Sequence, residues 1–146
     1  MEIRHLGYEH IDGLVDLYKL NKNEFKNFTP HPFTKEVLTK IIDETILDLY
    51  YVVMFEDAVV GYGMLRGMDE GYAFPRLGIA VGKDVYGTGV ATTLLEFLEV
   101  TSRLRGYKKI CLRVYIENSR AHHFYAKLGY TYEPFDEKSV LGLKEL

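Results

Sequence analysis

Apolar positions change their rhythm several times along the chain, and each change marks an element. Ile11, Leu14, Val15 and Tyr18 fall at i, i+3, i+4 and i+7, so they share one face of a helix beginning near Tyr8 or Glu9. Residues 21–33, NKNEFKNFTPHPF, keep no period and hold two prolines, which predicts a loop. Thr34 can cap a second helix that carries Leu38, Ile41, Ile42 and Leu49 and ends near Asp48.

Beyond Tyr50 the β-rich runs YYVVMFE and VVGYGMLRG, joined at Asp57-Ala58, predict an antiparallel hairpin. A third strand is expected over 72–81, with an edge or bulge at Pro75 because proline cannot donate a ladder hydrogen bond. The glycine-rich turn GKDVYGTG leads into a helix with Val90, Leu94, Leu98 and Thr101 on one stripe and Gly106 just past its end. Residues 108–116 alternate strictly, Ile110, Leu112, Val114 and Ile116 on one face and Cys111, Arg113 and Tyr115 on the other. Asn118 or Ser119 caps a short helix striped by Ala121, Phe124, Tyr125 and Leu128 and closed by Gly129, and one or two strands follow from Tyr130. The order predicts one domain over 1–146, of α/β (α+β) class, with helices covering a mixed sheet.

Composition narrows the function more than the fold. Hydrophobic residues at 47% and charged residues at 27% fit a packed core. Eighteen Lys+Arg against 21 Asp+Glu give a net charge of −3, so no overall attraction to nucleic acid or to an anionic membrane is expected. The single Cys111 excludes an intrachain disulfide and a Cys-rich zinc site, and MEIRHLGYEH lacks the apolar core of a signal peptide. A reducing, cytoplasmic location is the resulting expectation. No apolar run approaches the roughly 20 residues that span a bilayer. With twelve Tyr and eight Phe, some tyrosines are expected to line a pocket, because each buried hydroxyl needs a partner.

Gly87-Thr88-Gly89-Val90-Ala91-Thr92 joins a strand to a helix, where free N–H groups and the positive helix end can hold a phosphate; a tight connection without a ligand fits the same residues. The turn lacks the Gly-Lys-Ser/Thr of a P-loop and the third glycine of a dinucleotide fingerprint. Adjacent His122 and His123 point in different directions on a helix, against a two-His metal pair, and no metal is expected.

From Leu77 to Tyr132 the chain resembles the GNAT superfamily of acetyl-CoA-dependent N-acetyltransferases. The resemblance rests on LGIAVGKDVYGTGVATTLLEFL, similar to the family's strand, pyrophosphate turn and helix, and on CLRVYIENSRAHHFYAKLGY, similar to its strand-Asn-helix segment. Where the family pattern begins with Arg or Gln, this chain has Tyr86, followed by Gly89 and Ala91. The resemblance implies a splayed mixed sheet of six to seven strands flanked by about four helices, with acetyl-CoA as cosubstrate. It implies that Ile79, Ala80 and Val81 pair through the backbone with the pantetheine arm, and that Gly87, Thr88, Gly89, Val90, Ala91 and Thr92 wrap the pyrophosphate. Asn118 is placed near the pantetheine, a role compatible with helix capping, and Arg120 near a phosphate. Tyr125 matches the tyrosine that protonates the departing thiolate, although its spacing also fits a packed aromatic.

An amine must lose a proton before it attacks a thioester. Relatives place a carboxylate within the strand that here reads YAFPRLGIAV and holds none, leaving Glu70, Glu117 and His31 as candidate bases. Flanking prolines restrict His31, whose unperturbed pKa suits proton transfer, while a loop histidine without chemistry fits the same pattern. The aromatics Phe25, Phe28, Phe33, Tyr50 and Tyr51 are expected to shape the acceptor site for a small-molecule amine, with an amino sugar among the candidates. Two further readings remain at this point: an inactive acyl-CoA-binding or sensing module, and an acetyltransferase of protein N-termini or lysines. Exposed strand edges near Tyr130-Thr131-Tyr132 make a homodimer an expectation.

Overall fold

The computed structural model describes all 146 residues, Met1–Leu146. A seven-stranded sheet runs in the order β1-β2-β3-β4-β5-β7-β6. Its strands are β1 (Glu2–His5), β2 (Leu49–Phe55), β3 (Ala58–Arg66), β4 (Arg76–Val81), β5 (Lys109–Tyr115), β6 (Thr131–Pro134) and β7 (Ser139–Glu145). Five helices, α1 (Ile11–Leu20), α2 (Lys22–Phe25), α3 (Lys35–Glu44), α4 (Val90–Leu104) and α5 (Ser119–Lys127), cover it, joined by single 3₁₀ turns at Tyr8–His10 and Lys83–Val85.

The strongly patterned segments fold as their spacing dictates. On α1, Ile11, Leu14 and Leu17 are buried, while Val15 and Tyr18 pack at the margin. Thr34 caps α3 by accepting the Val37 N–H at 3.2 Å. The hairpin of β2 and β3 turns at Glu56-Asp57, with Glu56 at a positive φ of 55°.

Four boundaries differ from the sequence expectation, each for a local reason. The helix near Tyr8 begins with a 3₁₀ turn, and α1 proper starts at Ile11. Helix α3 stops at Glu44, because the Asp69 carboxylate accepts the N–H groups of Ile46, Leu47 and Asp48 and holds them out of helical conformation. Within the expected loop over 21–33, Lys22–Phe25 form one helical turn that buries Phe25. The third strand begins only at Arg76, after Pro75. Strand β1 has no counterpart in the sequence pattern, because four residues are too few for periodicity to register.

Two apolar layers sandwich the sheet. Leu94, Leu95 and Leu98 of α4 pack on Val53, Leu65, Ile110 and Leu112, and the opposite face packs Leu14, Leu38 and Phe25 on Val52 and Tyr62. Both faces of β5 are covered at their centre, so Cys111 is as buried as the residues of the other face.

The sheet carries one interruption, and it decides where ligands go. Strands β4 and β5 are parallel neighbours, yet they share a single rung, Arg76 with Cys111, before they diverge. The Cys111 N–H donates to the Pro75 carbonyl at 3.1 Å. Backbone groups alternate sides along a strand, so those of Leu77, Ile79 and Val81 face the gap, while Gly78 and Ala80 turn toward β3.

Candidate active site

A cavity of about 780 Å³ opens where β4 and β5 part. Ile79, Ala80 and Val81 form one wall, and Leu112, Val114 and Tyr115 form the other. The unpaired main-chain groups of Ile79 and Val81 present a strand edge inside the molecule, which an extended amide-bearing ligand can complete.

Beyond Val81 the chain enters the glycine turn. Gly87 and Gly89 adopt φ of 75° and 90°, left-handed values that a side chain strongly disfavours. An added Cβ at either would meet open space, so backbone conformation and access to the cavity explain the glycines, not crowding. Gly89 is the N-cap of α4, and its carbonyl accepts the first intrahelical bond, from the Thr93 N–H at 2.9 Å. The N–H groups of Val90, Ala91 and Thr92 therefore have no partner within the helix and carry the positive end of its dipole. Gly87, Gly89, Ala91 and Thr92 line the cavity. The Thr88 hydroxyl is engaged locally with the Val85 carbonyl.

Helix α5 supplies the third side. Asn118 caps it, accepting the Ala121 N–H at 3.3 Å, which leaves the amide nitrogen free to donate into the cavity it lines. Tyr125 lines the same cavity, is 8% exposed, and makes no hydrogen bond within the protein. Burial raises the pKa of its phenol well above the ordinary value, with a smaller contribution from Tyr132, so the proton stays on oxygen. Arg120 stacks on Tyr86, its guanidinium carbon 3.7 Å from the ring centroid. The aromatic residue at the position of the family's polar one thus carries a cation on its face.

The three candidate bases separate. Glu70 lines the cavity and is exposed to it. Glu117 is exposed just beyond β5 and does not line it. His31 lies outside it, lining a second, smaller pocket. Its Nδ1 is 2.8 Å from the Pro32 carbonyl and must donate there, and its Nε2, 2.7 Å away, accepts from the Tyr62 hydroxyl. Burial, opposed by the Pro32 bond and aided by Arg66, lowers the pKa of His31 and keeps it neutral. Phe33 and Tyr62 enclose the ring, which makes it a packed and doubly bonded histidine.

Phe28, expected at the acceptor site, lines the cavity, but sequence reasoning missed Glu24 on α2, Arg66 at the end of β3, and Tyr72 and Arg76 before and at the start of β4. No spacing rule marks them, since they converge from separate loops.

Comparison with known proteins places the glycine turn before α4 and the parted strands in an acyltransferase of the acetyl-transfer class. Residues 14–130 match the model of the acetyltransferase (GNAT) family, and the chain belongs to that family. An uncharacterized N-acetyltransferase of Methanocaldococcus jannaschii is 35% identical over 131 residues, covering 89% of this chain and 78% of that protein. Another, from Mycobacterium tuberculosis, is 30% identical over 84% of this chain and 68% of its own length. Among solved structures, a paia N-acetyltransferase from Thermoplasma acidophilum in complex with coenzyme A superposes with a TM-score of 0.84 at 19% identity, covering 99% and 98% of the two chains. Spermidine N-acetyltransferase from Vibrio cholerae superposes at 0.77 with 20% identity, covering 99% and 95%. No helix is long and apolar enough to cross a membrane.

Proposed function

We propose that this acetyltransferase binds acetyl-CoA along β4 and the glycine turn and passes the acetyl group to a primary amine of a small molecule. The observation that carries the reading is the single β4–β5 rung, which leaves the main chain of Ile79 and Val81 open beside the unpaired N–H groups of Val90, Ala91 and Thr92. The first pair suits the two amides of a pantetheine arm, and the second suits a pyrophosphate. The solved relative that holds coenzyme A supports the same ligand.

Bound acetyl-CoA supplies an activated thioester. Asn118 donates its free amide to the arm while its oxygen caps α5. Tyr125, held protonated, directs its O–H at the departing sulfur and stabilises the charge that develops as the C–S bond breaks. Glu70, the candidate carboxylate on the cavity wall, takes the proton of the incoming ammonium directly or through one water. His31, with both nitrogens engaged, maintains the acceptor-side aromatic cluster.

Calorimetric titration with acetyl-CoA and CoA, followed by thiol release against an amine panel, tests the reading. Micromolar binding with amine-dependent release is expected, and absence of CoA binding would overturn it. The Tyr86 and Arg120 stack yields a sharper expectation. Arg120→Ala weakens CoA binding by about tenfold, the scale of one charge-assisted phosphate contact. Tyr86→Ala does nearly the same by releasing the guanidinium, whereas Tyr86→Phe keeps the stack and the affinity. Equal affinity for all three variants would remove Arg120 from the phosphate site.

A further inference from the structure

The acceptor end of the cavity carries an unbalanced pair of arginines. Arg66 closes β3 and Arg76 opens β4, and the two are direct partners in the antiparallel register. Directly opposed residues project from the same face, and like charges so placed repel. Both line the main cavity at the end of β4 remote from the glycine turn, roughly 17 Å from Val81 at about 3.3 Å per residue.

Neither arginine has a carboxylate partner. The ion pairs of the protein involve Arg4, His10, Lys40, Arg113 and Lys144. Arg66 donates one Nη1 bond to the Pro30 carbonyl at 2.6 Å. The Arg76 Nε is buried without a partner, and its guanidinium lies between the rings of Tyr72 and Phe135, at 5.7 and 5.8 Å. Arg113, on the same face of β5, provides the contrast. Asp136 pairs with it at 2.7 Å, and Ser139 accepts from its Nε at 2.9 Å. The fold thus pairs one of three neighbouring arginines with a carboxylate and leaves the other two without an ion-pair partner, in a cavity that opens to solvent.

We infer that Arg66 and Arg76 receive an anionic group, carboxylate or phosphate, on the acceptor amine. The inference rests on the acetyl-transfer reading above and adds the acceptor's chemical class. A guanidinium pair matches the oxygens of either anion through paired N–H donors, and the rings of Tyr72 and Phe135 flank the Arg76 guanidinium. Glu70 in the same cavity faces the opposite task, accepting from the ammonium, so the site complements a zwitterion. A linear polycation finds two repelling arginines in its path.

The test uses matched acceptors that differ in the anion: glucosamine 6-phosphate against glucosamine, L-phenylalanine against 2-phenylethylamine, and L-lysine against cadaverine. Thiol release from acetyl-CoA and equilibrium binding to the CoA-saturated protein are measured for each pair. At least one member bearing the carboxylate or phosphate is expected to bind and react about tenfold or more better than its partner without that anion. Arg66→Gln and Arg76→Gln should each remove that preference, with CoA affinity unchanged, and Arg76→Lys should restore part of it for phosphate. The phosphate and carboxylate arms identify which anion the pair serves. Equal use of both members of every pair, or no anion-bearing member used, overturns the inference even where CoA binds. Loss of CoA binding by the unmodified protein would instead remove the reading beneath it.

Discussion

Tyr125→Phe should lower turnover by about a hundredfold while leaving CoA affinity unchanged, the lower end of what a positioned acid supplies. The substitution deletes one oxygen that makes no hydrogen bond to the protein, so neither packing nor helix α5 loses a contact. The ring stays edge-on to Phe124 and Tyr130, at centroid distances of 5.2 and 5.6 Å. A purely structural aromatic would therefore tolerate the change, and a proton donor would not. Steady-state thiol release with a saturating amine gives the turnover, and calorimetry gives the CoA affinity. A turnover equal to wild type would take Tyr125 out of the chemistry. Because burial raises the phenol pKa, the donor form persists through and beyond neutral pH. Any decline of rate between pH 8 and 10 then belongs to another group, and the Phe variant should show the same decline.

The second large effect concerns stability. Glu99 sits on the buried face of α4, only 6% exposed. Its carboxylate accepts the Tyr130 hydroxyl at 2.8 Å and pairs with the Lys144 ammonium at 3.0 Å, while Lys144 also donates to the Leu128 carbonyl at 2.7 Å. One acid thereby ties α4 to the end of α5 and to β7. Glu99→Ala orphans a buried phenol and a partly buried ammonium at once, and should cost about 3 kcal/mol. For a domain of this size that lowers Tm by about 10 °C. Glu99→Gln keeps an acceptor for Tyr130 and should lose about half as much. Urea unfolding of the three proteins checks the order, and an Ala variant as stable as wild type would show the triad to be dispensable. Burial first, then the bond to Glu99, raises the Tyr130 pKa. Its contribution is complete below the unfolded phenol value near 10 and declines as pH rises past it.

How far the sequence reveals this depends on whether a residue acts through its neighbours in the chain or in space. Helix α4, β5 and α5 carry long runs of one period, and the helix caps, Gly106 for α4 and Asn118 and Gly129 for α5, stand at the positions the turns require, as does Thr34 before α3. The left-handed glycines at 87 and 89 are legible for the same reason, since few other residues adopt that backbone. The end of α3 is not legible, because Asp69, 22 residues beyond Leu47, supplies the bonds that stop it. Nor is the pairing of Arg66 with Arg76, which depends on the register of two strands separated by a loop. His31 shows the limit from the other side. Its prolines and pKa suit proton transfer, yet Tyr62, thirty-one residues on, occupies the lone pair that would be needed.

The parting of β4 from β5 has a consequence for how this molecule tolerates change. A recognition edge composed of main-chain groups has no side chain to lose, so substitutions at Leu77, Ile79 or Val81 that preserve volume leave its donors and acceptors where they were. Heritable variation can then reach the surroundings, as when an aromatic ring holding a borrowed cation stands at position 86, without erasing the edge itself. What must be kept is a shape: two strands that touch once, at Arg76 and Cys111, and then do not touch again.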